Sequence, residues 1–273
     1  MFFNYNKPGP GIRKDAPKQK AVPRFFSIFQ RKFFDLMKLN LLFCVPVVIA
    51  AALILLLNMI TPLVIIDFLP IVLLSPFVAG LTIVTRNYAR EEHAFIFSDF
   101  KEAIKNNWRT FLINGALCYA VAMILDVSIP YYWKNGLKNP LSSVAACICI
   151  LITVIFLFSQ YYVPVMIVTF DLKYSQILKN SFIFAILGLW RNVLITVLLG
   201  ILALLFYLSQ IMPLLILIAA LFTLLLLFSY CSFLINFAAY PLIDKMMIQP
   251  YNKNDKDNSG EEDRDSKDFT DRV

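Results

Sequence analysis

Residues 192–243 read NVLITVLLGILALLFYLSQIMPLLILIAALFTLLLLFSYCSFLINFAAYPLI, a run of 52 positions without one charged side chain. As a single helix this run would extend about 78 Å, whereas the hydrocarbon core of a bilayer is about 30 Å thick. The run therefore folds back and crosses twice, with a turn predicted at Ser209, Gln210 and Pro213. The sequence predicts a polytopic membrane protein.

The composition of the whole chain agrees with this prediction. Of 273 residues, 59% are hydrophobic and 16% are charged, whereas globular domains carry about 25% charged residues. Residues 1–38 hold nine Lys and Arg against two Asp, whereas residues 251–273 hold five against eight Asp and Glu. A basic arm beside a membrane favours anionic lipid headgroups as partners over nucleic acid. The polar segment 251–273 is predicted to be a disordered acidic cytosolic tail.

The apolar segments predict an all-α fold, a polytopic transmembrane helical bundle of about six spans over residues 41–245. The first apolar run starts behind a long polar arm, which favours an uncleaved anchor over a cleaved signal peptide. A re-entrant hairpin over 193–237 would reduce the count to four full spans. The six predicted spans are 41–60, 68–85, 111–129, 145–168, 193–207 and 213–237.

The distribution of Lys and Arg between the loops predicts the orientation of the bundle. One side would carry 23 of these residues and the other side only Lys134 and Lys138. Positive residues concentrate in cytoplasmic loops. We therefore expect a multi-pass protein with both termini in the cytoplasm, which requires an even number of spans.

Two charged segments on that side have aromatic residues at helical spacing. Residues 24–38 read RFFSIFQRKFFDLMK, and the basic arm 1–40 would thus include an amphipathic helix in the inner interface. Residues 86–109 predict a second interfacial helix. Their candidate partner contacts are Arg86, Glu91, Asp99, Lys105 and Trp108, with anchoring to the membrane interface as the alternative role for all five.

Motifs that would indicate an enzyme are missing from the sequence. There is no phosphate-binding loop, GxSxG, HExxH or CxxC motif, and one histidine excludes a multi-histidine metal site. The position of His93 favours a solvated histidine in a loop, although a role as a general base stays open. The five cysteines lie in apolar stretches, where cysteine acts as a small hydrophobe. We expect no catalytic residues, no cofactor and no metal, and therefore no enzyme.

Two aspartates near the ends of predicted spans are candidates for a polar site. Asp67 precedes Arg86 by 19 residues and Asp126 follows Arg109 by 17 residues, so both would lie near the outer boundary. An acidic outer mouth for a cation or a sugar is one hypothesis. The favoured alternative is that both helix ends reach headgroup water. No ionisable residue lies at mid-membrane, which lowers the odds of a proton-driven pump.

Four strings in this chain are fairly specific when taken together: FNYNKPGPGIRKDAP (3–17), RKFFDLMKLNLLF (31–43), RNYAREEHAFIFSDFKEAIKNNW (86–108) and AYPLIDK (239–245). They resemble the YesL-like family of bacterial integral membrane proteins, a domain of unknown function. The family is typical of Gram-positive bacteria, and its members are often encoded near carbohydrate-uptake ABC transporters. The resemblance implies the bacterial plasma membrane and a role in or beside sugar uptake, and it carries no site residues across.

Two functions from different classes follow from these observations. The first is an accessory or regulatory component of a carbohydrate ABC transporter, with its permease or ATPase subunits as partners. The alternative is a self-sufficient small-solute permease with a path among the six spans. The first predicts co-purification with an ATPase-containing complex and no flux when the protein is reconstituted alone, and the second predicts the reverse.

Overall fold

The computed structural model describes residues 20–136 and 139–250, and within these ranges the regular structure is entirely helical. The predicted tail 251–273, residues 1–19 of the basic arm and Lys138 lie outside the described residues. The helices are α1 (Ala21–Arg31), α2 (Phe33–Ile60), α3 (Val64–Asp67), α4 (Pro70–Ala89), α5 (Ile96–Gly136), α6 (Pro140–Gln160), α7 (Val163–Thr169), α8 (Tyr174–Leu187), α9 (Leu189–Ser209), α10 (Pro213–Phe222) and α11 (Phe228–Ile243).

Six segments of the described chain have the length and apolar composition needed to cross a membrane, which confirms the predicted fold class. The run that decides the fold is divided into α9 and a continuous helix from α10 to the π turn at Asp244–Ile248. Each is long enough to span a bilayer. These six segments are Phe33–Ile60, Val64–Ala89, Ile96–Asn135, Pro140–Thr169, Leu189–Ser209 and Pro213–Ile248.

The helix predicted over residues 24–38 is divided at Lys32, which separates α1 from α2. Phe25 and Ile28 on α1 are buried against the rest of the bundle. The Phe25 ring centroid lies 5.1 Å from that of Phe233 and 5.3 Å from that of Phe237, both on α11. Buried aromatic pairs contribute beyond their area, so α1 is held by protein contacts as well as by its amphipathic character.

The helix predicted within residues 86–109 is the beginning of the third span. The long helix α5 starts at Ile96 and continues without interruption through the rest of the segment 86–109 into the third candidate span. Phe100 is 6% exposed and packs where Gly80 of α4 has no side chain. A Cβ at Gly80 would collide with the Phe100 ring. The predicted aromatic stripe is consequently divided, with Phe100 inside the bundle and Phe97 and Trp108 exposed.

The predicted fourth span is interrupted at Tyr161 and Tyr162, between α6 and α7. The Tyr162 hydroxyl donates to Oδ1 of buried Asn192 at 2.7 Å, and the Asn192 amide donates to the Ala185 carbonyl at 3.0 Å. Tyr161 Oη lies 2.8 Å from Thr196 Oγ1. These bonds attach the interruption to α9 and to the end of α8.

A π turn at Thr223–Leu227 joins α10 to α11 and receives the side chain of Asn40 from α2. The Asn40 amide nitrogen donates to the carbonyl oxygens of Thr223 and Leu224, at 2.9 and 2.8 Å. Its Oδ1 accepts from the Ser229 backbone nitrogen at 3.0 Å. A side chain inserted into the backbone hydrogen bonds of a helix is a known cause of such an irregular turn. Here the buried Asn40 amide forms hydrogen bonds with the backbone groups around the turn.

We expect Asn40→Leu to lower the free energy of unfolding by about 1–3 kcal/mol, because it leaves buried backbone groups without partners. The measurement is reversible unfolding in mixed SDS micelles. Asn58→Leu on the same helix is the matched control, since Asn58 bonds only the exposed Asp67. Equal losses in the two variants would contradict the role assigned to Asn40.

Candidate functional site

Glu91 joins the α4–α5 connection to helix α1. Its Oε1 accepts from Arg24 Nε at 2.9 Å and its Oε2 from Arg31 Nη2 at 2.8 Å. Arg24 also donates to the Ala89 carbonyl at 3.2 Å, and its guanidinium lies 5.7 Å from the Phe237 ring centroid. We call Arg24, Arg31 and Glu91 the Glu91 clamp. It lies beside the cytosolic-facing end predicted from the charges.

The backbone of Glu91 has a φ of 63°, the left-handed region that non-glycine residues rarely adopt. It is the one such residue within the described ranges. The conformation costs an L-residue about 1–2 kcal/mol. The turn that ends α4 therefore carries a local conformational cost, and its geometry presents the carboxylate to both arginines.

The hydrogen bonds from Arg31 and Arg24 hold the pKa of Glu91 below its ordinary value. All three side chains remain partly exposed to solvent. Exposed ion pairs contribute at most about 1 kcal/mol each. The clamp accordingly fixes the position of α1, whereas burial of Phe25 and Ile28 supplies the larger part of its attachment.

Arg86, the first predicted partner contact, is directed into the protein. Its Nη1 donates to the Val168 carbonyl at 2.9 Å and to Thr169 Oγ1 at 3.0 Å, at the end of α7. Its Nε and Nη2 both donate to Asn87 Oδ1, and the Nη2 distance is 3.0 Å. A cation at a helix C-terminus is favourable because it complements the helix dipole. Arg86 therefore ties α4 to α7.

The other predicted contacts are divided between internal and exposed roles. Asp99 Oδ2 accepts from the Phe95 backbone nitrogen at 3.0 Å, just before α5, and so caps that helix. Lys105 is exposed. Trp108 is 44% exposed, and the Arg109 guanidinium lies 5.2 Å from its ring. Only Lys105 and Trp108 of the five predicted residues present their side chains outward without an internal polar partner within the described chain.

The two aspartates of the predicted outer mouth are both exposed. Asp67 Oδ1 accepts from Asn58 Nδ2 at 2.9 Å, which links α3 to the end of α2. Asp126 lies on α5. Among the described contacts none joins Asp67 to Asp126. Asp67 thus makes a local hydrogen bond across the turn between α2 and α3. The acidic outer mouth formed by Asp67 and Asp126 stays a prediction.

Two partly open cavities lie among the helices of the bundle. Residues of α2, α4, α7 and α11 line both cavities, and α5 contributes to the second. The first has a volume of about 240 Å³ and the second about 340 Å³. Four residues line both cavities: Phe43, Val78, Pro164 and Phe228. No ionisable Asp, Glu, Lys, Arg or His side chain is among the residues that line either one.

The polar side chains around the first cavity bond one another. Asn236 Nδ2 donates to Thr85 Oγ1 at 2.9 Å and to the Ser232 carbonyl at 2.8 Å. Thr85 Oγ1 lies 2.8 Å from Ser232 Oγ. Asn236 Oδ1 is buried without a hydrogen-bond partner in the described chain. This cluster bonds α4 to α11 within the apolar interior.

A second polar cluster lies beside the larger cavity. Asn114 Nδ2 donates to Gln160 Oε1 at 3.1 Å, and Asn114 Oδ1 accepts from the Tyr174 hydroxyl at 2.9 Å. Cys118 Sγ lies 3.4 Å from Gln160 Oε1. The cluster joins α5, α6 and α8. Sequence reasoning missed these residues, although uncharged polar residues inside apolar spans were a usable signal.

Among the described residues no group of three or more His, Cys, Asp or Glu is placed to hold a metal ion. The five cysteines are free thiols. The His93 ring lies 4.7 Å from the Phe95 ring, between α4 and α5. The arrangement therefore offers helix-to-helix bonding and two apolar cavities rather than a set of reactive groups.

A family model described as "Protein of unknown function, DUF624" matches residues 36–129. The matched segment contains α3, α4 and most of α2 and α5, together with Glu91 and part of the walls of both cavities. The comparisons with curated proteins and with solved structures gave no match. The chain is thus similar to a family of unknown function over its first three candidate spans.

Substitutions at Glu91 distinguish the free-energy cost of its left-handed backbone from the contribution of its carboxylate to the Glu91 clamp. Glu91→Ala and Glu91→Gly both remove the carboxylate, but glycine adopts positive φ freely. We expect Glu91→Gly to be more stable than Glu91→Ala by about 1 kcal/mol, measured by unfolding in mixed SDS micelles. At Glu92, which lacks positive φ, the glycine variant should be the less stable of the pair. The same order at both positions would refute the assignment.

The lowered pKa of Glu91 predicts a pH dependence of the attachment of α1. A carboxyl whose pKa falls on folding contributes stability above its unfolded pKa of about 4.3, and this contribution is lost as pH falls through the folded value. Hydrogen exchange of the α1 amides, corrected for intrinsic rates, should therefore accelerate in acid. Glu91→Gln should remove this dependence and Glu92→Gln should keep it. An unchanged acid response in Glu91→Gln would exclude the clamp as its source.

Proposed function

We propose that this protein is a non-enzymatic accessory or regulatory subunit associated with a carbohydrate ABC importer in the bacterial plasma membrane. Its termini would lie in the cytoplasm, and its interacting surface would be the exposed side of the first four turns of α5. The proposal rests on the cavity walls, on the exposed surface of α5 and on the family resemblance.

The observation that carries the proposal is the character of the central cavities. A sugar carries many hydroxyl groups, and each buried hydroxyl without a partner costs about 1–3 kcal/mol. The polar clusters beside the cavities largely bond within the protein, as in the pairs Asn114–Gln160 and Asn236–Thr85. The walls therefore offer few free groups to a sugar. This favours a supporting subunit over a self-sufficient sugar permease.

The exposed side of α5 favours a protein partner there. Phe97, Lys101, Lys105 and Trp108 all lie on the side opposite to buried Ala103. Exposed aromatic residues such as Phe97 and Trp108 are enriched where proteins bind one another. Lys105 and Trp108 are thus the predicted contacts that remain available.

The resemblance to the YesL-like family supplies the chemical class of the partner. The family model that matches residues 36–129 also describes a family of unknown function, and this is the extent of its agreement with the resemblance. The association with carbohydrate uptake derives from the resemblance alone. It supports a permease or an ATPase subunit as the first partner to look for.

The proposal predicts that a permease and an ATPase co-purify with the tagged protein from native membranes in mild detergent. The double variant Lys105→Glu and Trp108→Ala should recover at least about tenfold less of both, since interface hot spots contribute about 2 kcal/mol or more. Trp190→Ala is the matched control, because Trp190 is an exposed tryptophan at the start of α9.

The purified protein alone should give no sugar flux in liposomes. An eluate containing only this protein, together with flux of a sugar in liposomes, would overturn the proposal and establish the permease. Undiminished recovery of the partners by the double variant would exclude the exposed α5 side as the contact.

A further inference from the structure

The two cavities lie next to each other and share part of their walls. Phe43, Val78, Pro164 and Phe228 line both. Beyond this shared wall, the first cavity adds Leu81, Val165 and Ile235, and the second adds Ile71, Leu74 and Phe111. Taken together, the two cavities are a largely apolar space beside α4.

The hydroxyl groups on the walls are bonded within the protein, and among the described residues that line the cavities Asn236 Oδ1 is the one buried side-chain oxygen or nitrogen without a partner. Thr82 Oγ1 donates to the Val78 carbonyl at 2.7 Å, and Ser75 Oγ donates to the Val72 carbonyl at 2.8 Å. A buried water needs two to four polar partners, and apolar cavities stay dry and take up small apolar molecules. The walls consequently favour an apolar occupant over water.

Ile71 is the most exposed of the residues that line the larger cavity. This residue lines the cavity and is 37% exposed. It precedes Arg86 by 15 residues on the same helix, about 22 Å along its axis. Ile71 thus lies in the membrane-spanning part of α4, where the surrounding solvent is the hydrocarbon of the lipid chains.

We propose that this space binds one acyl chain of a bilayer lipid, admitted beside Ile71 and extending past Val78 into the smaller cavity. The occupant is a hydrocarbon chain because the walls are apolar and their hydroxyl groups are already bonded. Its source is the bilayer, since Ile71 lies within the span. The combined volumes are in the range of ligand pockets of about 300–1,000 Å³. This inference is independent of the proposed partner.

Val78 is one of the four residues that line both cavities. We expect a phenylalanine there to obstruct a chain that extends from the larger cavity into the smaller one. Val165 and Phe111 are each 1% exposed and line the smaller and the larger cavity, respectively. Lipid outside the bundle cannot contact them, so an adduct on either residue reports a chain inside.

The experiment uses the full-length protein in phosphatidylcholine nanodiscs that contain a phosphatidylcholine with a diazirine on one acyl chain. After photolysis, mass spectrometry should locate adducts on Val165 and Phe111. Val78→Phe should reduce the Val165 adduct by about tenfold or more, because overpacking excludes the chain. Adducts on the exposed side of α9 provide the internal standard.

Should Val78→Phe fail to fold, Ile235→Phe repeats the test, because Ile235 of α11 also lines the smaller cavity. Leu205→Phe on the exposed side of α9 is the control that should change nothing. Three results would each overturn the proposal. They are wild-type protein without adducts on Val165 and Phe111, equal Val165 adducts in the cavity-filling and control variants, and modification of Cys231 by a charged thiosulfonate at the rate of an exposed thiol.

Discussion

In a lipid environment the polar groups of a helix must find their partners inside the protein, because hydrocarbon offers none. This constraint accounts for the arrangement of the bundle. Two irregularities within the spans carry a polar attachment of their own: Asn40 at the π turn of Thr223–Leu227, and Asn192 at the break after α6. The helices are therefore joined at the places where their own ladders are incomplete, and the apolar surfaces fill the space between.

The number of spans could be predicted from the sequence because the charges are so unevenly distributed. The 52-residue run excluded a soluble domain and required a turn. The residues at which helices begin and end were harder to predict from the sequence. The start of α5 packs against α4 through Phe100 and Gly80, a contact between residues 20 positions apart. Periodicity alone describes only the amphipathic pattern of that segment, which both an interfacial helix and a packed one would show.

The candidate contacts lie in one charged segment, but their separate positions in the structure depend on distant partners. Glu91 meets Arg24 and Arg31 across 67 and 60 residues, and Arg86 meets Val168 across 82. No local pattern encodes such pairings. The positive φ of Glu91 was equally inaccessible, since a glutamate gives no sign of a left-handed turn. Uncharged polar residues, by contrast, were visible in the apolar spans and mark both central clusters.

The π turn at Thr223–Leu227 has a consequence for how the last span can change. It accommodates one residue more than a regular helical turn, so residues before and after it are offset by about 100° around the axis. The exposed side of α10 and the buried side of α11 are thus set independently. A lineage that lost this residue would have to replace Asn40 as well, because the amide would no longer find its carbonyls. Position 40 and the length of the last span are therefore expected to change together.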